Sequence, residues 1–245
     1  MAATLREMRQ VAQPLLERDP RLAFVGRAIV LRPVGHWLQG FSLAPPGPKE
    51  HPGMYFVKRG DRLIPKAVSG KARFWPRTLL QPLYVPARRL QPGYGRSLRV
   101  PLEMDAWRVT TPDVSRIFCE LAADAIESIL NVDTPDKFGI WAEHASLHEF
   151  EESIAPAIIL THALAGRLAL AIREAERNIA IWQGATSTRA VDPATPAQAR
   201  RLRRLIRVFE AGQARTNRLL RTFEWISARH LGVRRWWTWT PAVAG

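Results

Sequence analysis

Cysteine is almost missing: Cys119 stands alone in 245 residues. No intramolecular disulfide is possible, and nothing in the cysteine usage points to an oxidising compartment. Cys119 falls inside the helical pattern Ile117-Phe118-Cys119-Glu120-Leu121, where a small buried hydrophobe is expected rather than a reactive thiol. Long apolar runs are missing too. The most apolar stretch, Ile154 to Ile172, is interrupted by Pro156, Thr161, His162 and Arg167. A bilayer span needs about 20 predominantly apolar residues, so no membrane partner is expected. Met1 to Val11 mixes Arg6, Glu7 and Arg9 among its apolar residues and lacks a signal-peptide core, which predicts a cytoplasmic protein.

Signature motifs are equally scarce. There is no Gly-x-Gly-x-x-Gly, no phosphate-cradling Walker A loop and no Gly-x-Ser-x-Gly elbow. These gaps argue against nucleotide-dependent and serine-hydrolase chemistry, and no cofactor is expected. Lysine is the last scarcity, with five residues against 31 arginines. A surface that recognises phosphate would favour the planar arginine fork. A GC-rich genome would produce the same bias through codon usage.

What is present describes a folded chain. Hydrophobic residues make up 47% and charged residues 24%, enough apolar content to offset the entropy of ordering. The net charge of +14 conceals a segmentation. Residues 1–100 hold 18 basic and 5 acidic side chains, residues 101–192 hold 7 and 15, and residues 193–245 hold 11 and 2. An acidic middle thus lies between two basic ends.

Proline changes at the first of these boundaries, with 13 of the 19 prolines within residues 1–101. The early chain reads as short strands between turn signals. Leu22–Val25, Ala28–Leu31, Trp37–Leu43, Met54–Val57 with Leu63-Ile64, Leu79–Val85 and Leu98–Leu102 supply about five strands of an antiparallel meander. Arg59-Gly60-Asp61 reads as a tight hairpin turn, and residues 3–17 as an opening helix covering one face.

From Thr111 the apolar period becomes helical. Thr111-Pro112-Asp113, Thr134-Pro135-Asp136 and Thr195-Pro196 share one start device, a Thr cap followed by Pro at the first helical position. The periodicity predicts one long helix over about 153–182 and a second from Pro196 to about His230. The expectation is an α+β chain: an N-terminal helix plus an antiparallel β-meander of about five strands over residues 1–108, then a helical half over 109–245.

Three places could carry function. Arg200, Arg204, Arg207, Arg215 and Arg218 share a stripe opposite the apolar side of the last predicted helix, flanked by Arg201, Arg203 and Arg221. Only Glu210 and Glu224 are acidic there, so pairing within the helix is sparse. The stripe then has two natural partners: a polyanion, or the acidic middle of the same chain. Arg234, Arg235, Trp236 and Trp237 form the second place, because Trp and Arg are enriched both at interface hot spots and on base-stacking surfaces. The Trp237-Thr238-Trp239 alternation also fits a short strand that returns to the N-terminal sheet.

The third place is Glu143-His144-Ala145-Ser146-Leu147-His148-Glu149. Two histidines four residues apart share a helix face and could hold a metal. The zincin pattern requires Glu after its first His, and Ala145 occupies that position. His36, beside Trp37, reads as a hydrogen-bonded core or edge residue. Together these features predict a non-catalytic interaction protein that engages an acidic protein surface or associates with itself. Nucleic-acid binding through the arginine-rich last helix and basic N-terminal half is the alternative, and a metal-dependent enzyme at His144 and His148 the remote one.

Overall fold

The structure is a computed structural model that describes residues 3–44, 54–59, 62–67, 73–90, 97–98, 107–144, 151–184 and 195–241. It is a mixed helix and sheet protein whose chain divides into two compact units. The first comprises Met1–Pro33, Leu38–Leu80 and Gly95–Leu130, and the second Val34–Trp37, Gln81–Tyr94 and Asn131–Gly245.

The first unit opens on α1, Leu5–Arg18. Thr4 and Glu7 close a reciprocal capping box at its start, satisfying N–H groups that have no partner within the helix. Its buried side chains Met8, Val11, Ala12 and Leu15 form one stripe. That stripe packs against α2, Val114–Leu130, whose inward face carries Phe118, Ala122, Ile126 and Ile129. Cys119 is buried on α2, as its surroundings predicted.

The sheet has four strands in the order β1-β2-β3-β6: β1 is Leu22–Val25, β2 Ala28–Leu31, β3 Trp37–Ala44 and β6 Trp75–Pro82. Among the described residues four strands stand where about five were expected, and residues 99–102 of the expected strand Leu98–Leu102 lie outside the described residues. The Met54–Arg59 and Arg62–Ala67 strands, β4 and β5, form a separate antiparallel hairpin with Arg59 opposite Arg62. Gly40 fixes the approach of β3 to β2. A Cβ there would lie 2.0 Å from the Ile29 carbonyl oxygen, so only glycine fits. Phe41, Phe74, Trp107 and Phe118 link ring to ring through the core of this unit.

The second unit is helical: α3 Pro135–His144, α4 Glu151–Leu164, α5 Leu168–Gly184, α6 Thr195–Glu210 and α7 Gln213–His230. Neighbouring helices pack in series, and α4 also meets α7. Both expected long helices are broken, each at an Ala-Gly pair with glycine in the left-handed region. Gly166 has φ 75 and Gly212 φ 92. At the first break, the Arg167 N–H bonds to the His162 carbonyl and the Gly166 N–H to that of Ala163. This double bond pattern terminates a helix at a left-handed glycine. Hydrophobic periodicity runs through both breaks, which is why it predicts single helices.

The shared Thr-Pro device also behaves unequally. At α3 the Thr134 hydroxyl accepts from the Lys137 N–H at 3.3 Å, as a cap should, and α6 begins at Thr195. At α2, by contrast, Thr111 and Pro112 form a turn, and the helix starts after Asp113, whose φ is 57.

Candidate functional site

The arginine stripe divides with its helix. Arg200, Arg204 and Arg207 lie on α6, and Arg215 and Arg218 on α7, so one straight row along a single helix is replaced by two shorter ones. At about 1.5 Å per residue the α6 row spans roughly 10 Å. All five arginines are exposed, and so are Arg201, Arg203 and Arg221. None of the eight forms an ion pair among the described residues. Several described acids of the middle segment have other partners: Glu120 binds Arg116, Asp133 binds Lys137, Asp136 binds Arg167 and Glu174 binds Arg177. The opposite side of α6 buries Leu202, Leu205 and Phe209. The apolar face therefore fixes which way the guanidiniums point, and they point into water.

The C-terminal tail turns back onto the second unit. After Gly232 ends α7, Arg234–Trp236 make one 3-10 turn. Trp237 then forms an isolated parallel bridge with Val34. The Val34 N–H donates to the Trp236 carbonyl at 2.9 Å, and the Thr238 N–H to that of Val34 at 3.0 Å. In place of a strand on the N-terminal sheet, the Trp237-Thr238-Trp239 segment thus makes a single bridge to Val34, outside the named strands.

Beneath that bridge lies a buried polar cluster. Glu224, wholly buried on α7, receives the Trp237 indole N–H at 3.0 Å, while its other oxygen lies 2.7 Å from His36 Nδ1. His36 is hydrogen-bonded and buried, matching its sequence reading, and its ring meets the edges of Trp37 and Trp239. Burial pushes the Glu224 carboxyl above its ordinary range, while His36 and the Trp237 N–H pull it back. Ser227, one turn on, accepts the Ala87 N–H at 3.1 Å. These contacts direct Trp237 inward and leave Arg234 and Arg235 exposed.

Hydrophobicity concealed Glu224, because the inner line of α7 is partly polar. Its buried residues are Thr216, Leu220, Glu224, Ser227 and Ala228. The large apolar residues Leu219, Phe223 and Ile226 of the same helix are only half-buried. The available signal was a lone acid four residues from Leu220 on a helix otherwise crowded with arginine.

His144 is the last residue of α3, and His148 lies outside the described residues. No cluster of metal-ligating side chains occurs among the described residues. One cleft of about 360 Å³ opens between α3 and α4, lined by Phe138, Ile140 and Ile158 with the Asp136–Arg167 ion pair. No described helix is long and apolar enough to cross a membrane. No protein-family model matches the chain, and neither a curated protein nor a solved structure is similar to it.

Proposed function

We propose that the protein is a non-catalytic interaction protein that engages an acidic partner surface through the arginine face of α6 and α7. The observation that carries this reading is the exposure of Arg200, Arg204, Arg207, Arg215 and Arg218 without an ion pair among the described residues. A helix face whose only function was solubility would gain from mixed charges at i,i+4, which stabilise a helix by roughly 0.2–0.5 kcal/mol per pair. This face is nearly all of one sign and forgoes that gain. Exposed like charges of this density raise the local concentration of an acidic partner and speed its arrival.

Poly-L-glutamate is the probe for this reading. The protein should bind it at low ionic strength and lose it steeply as salt rises, since exposed charges are screened beyond about 10 Å at 0.1 M. Arg200→Glu, Arg204→Glu and Arg207→Glu together should remove most of the binding. Unchanged binding by that variant would refute the role of α6.

The near-exclusive use of arginine favours a second reading, nucleic-acid binding. Its mark would be duplex DNA affinity that falls linearly in log–log form with salt, with a slope reduced by the same substitutions.

A further inference from the structure

Three arginines at the end of α7 differ from those on α6 in being fixed from below. Arg229 lies 5.6 Å and Arg234 5.3 Å from the ring centroid of Trp225, which is half-buried on α7. Arg235 lies over the ring of Trp236 at 4.1 Å. All three side chains are exposed, and none of their N–H donors has a hydrogen-bond partner among the described residues.

An exposed arginine ordinarily loses rotamer freedom when it binds, which weakens the contact. A cation–π contact with an indole face restrains the guanidinium beforehand. The floor is itself held. Trp236 accepts the Val34 N–H through its carbonyl, and Trp237 is tied to the buried Glu224. Arg234 and Arg235 are therefore placed by the fold rather than by a loose terminus.

Planar forks of this kind match carboxylates or phosphates. The indoles distinguish the macromolecules that would carry them. Single-stranded nucleic acid is held on aromatic faces that receive its bases. Here Trp225 and Trp236 already carry guanidiniums, the Trp237 N–H is bound to Glu224, and Trp239 lies against His36. The cluster offers donor edges instead of stacking platforms.

We propose that Arg229, Arg234 and Arg235, held over the rings of Trp225 and Trp236, anchor a short acidic peptide segment of the partner by its carboxylates. This rests on the reading of the arginine face as the surface for an acidic partner, and it names where that partner is held. The α6 arginines then govern mainly arrival, and the arginines over the indoles residence.

The test is rapid-mixing kinetics of the full chain with a fluorescent oligoglutamate peptide at low salt. Arg234→Lys with Arg235→Lys keeps the charge and its favourable place beyond a helix C-terminus while removing the planar fork. That variant should dissociate about tenfold faster, the size expected for loss of a central interface anchor. Arg200→Gln with Arg204→Gln and Arg207→Gln should chiefly slow association. Thermal melts matching the wild type would show that both variants fold.

Wild-type dissociation from the lysine variant would overturn the anchor. If the glutamine variant alone loses binding, the broader reading stands and the anchor falls. Absence of oligoglutamate binding by the wild type overturns both. Tighter binding of a single-stranded or duplex DNA of equal charge, weakened by the lysine substitutions, would make the platform a nucleic-acid site and refute the peptide.

Discussion

Glu224 and Arg218 lie less than two turns apart on α7, yet their charges meet opposite fates. Glu224 is sealed inside with partners from two other segments, His36 and Trp237. Arg218 is exposed and forms no ion pair among the described residues. A buried charge must be answered within the molecule, because desolvation without a partner costs several kcal/mol. An exposed charge bears no such cost and stays available to something else. One helix thus carries a buried, partnered acid on its inner side and exposed arginines without an ion pair among the described residues on its outer side.

The largest effect expected from breaking this contrast lies on the inner side. Glu224→Ala removes one member of a buried network and leaves His36 Nδ1 and the Trp237 N–H without the carboxylate they share. Removing one partner of a buried pair costs on the order of 3 kcal/mol. Urea unfolding should show this as a lower midpoint with an unchanged slope. A loss below about 1 kcal/mol would mean that the cluster is not what fastens the tail.

The outer face of α6 and the inner face of α7 were also unequally legible. Arg200, Arg204 and Arg207 are outward simply because Leu202, Leu205 and Phe209 are inward, and a period of 3.6 residues displays both sets. Helix α1, the hairpin of β4 and β5, and the α3 start at Thr134 were visible through equally local chemistry. Glu224 was not, because its partners come from residues 36 and 237, and no local pattern encodes a contact across that separation. The breaks at Gly166 and Gly212 fall between these cases. Glycine signalled them, but apolar residues kept the helical period on both sides and masked the interruption.

A smaller effect sharpens the account of Glu224 through pH. Burial raises its folded-state pKa above the ordinary value of 4.5, with His36 and Trp237 opposing. Between the unfolded and folded values the native state therefore binds more protons than the unfolded state, and stability from this group falls as pH rises. The contribution is full below the unfolded value and is lost as pH passes through the folded one. Glu224→Gln keeps the shape and cannot titrate. The stability difference, wild type minus variant, should be most favourable to wild type at the acidic end and decline towards neutrality. A difference that grows with pH would mean that His36 and Trp237 outweigh burial.

The smallest effect is expected on the outer side, where a near-zero result carries information. Arg200→Glu, Arg204→Glu and Arg207→Glu alter exposed residues without ion pairs among the described residues. Surface substitutions of that kind usually shift stability by no more than about 0.5 kcal/mol each. Reversal also relieves repulsion among neighbouring arginines on α6, so the net change could be slightly stabilising. Paired urea unfolding and poly-L-glutamate binding on the same variant separate the two roles. Binding should fall while the unfolding midpoint stays within about 0.5 kcal/mol of wild type per substitution. If the midpoint drops well beyond that while binding is retained, these arginines hold the fold together, and the contrast between the two sides of the helical unit dissolves.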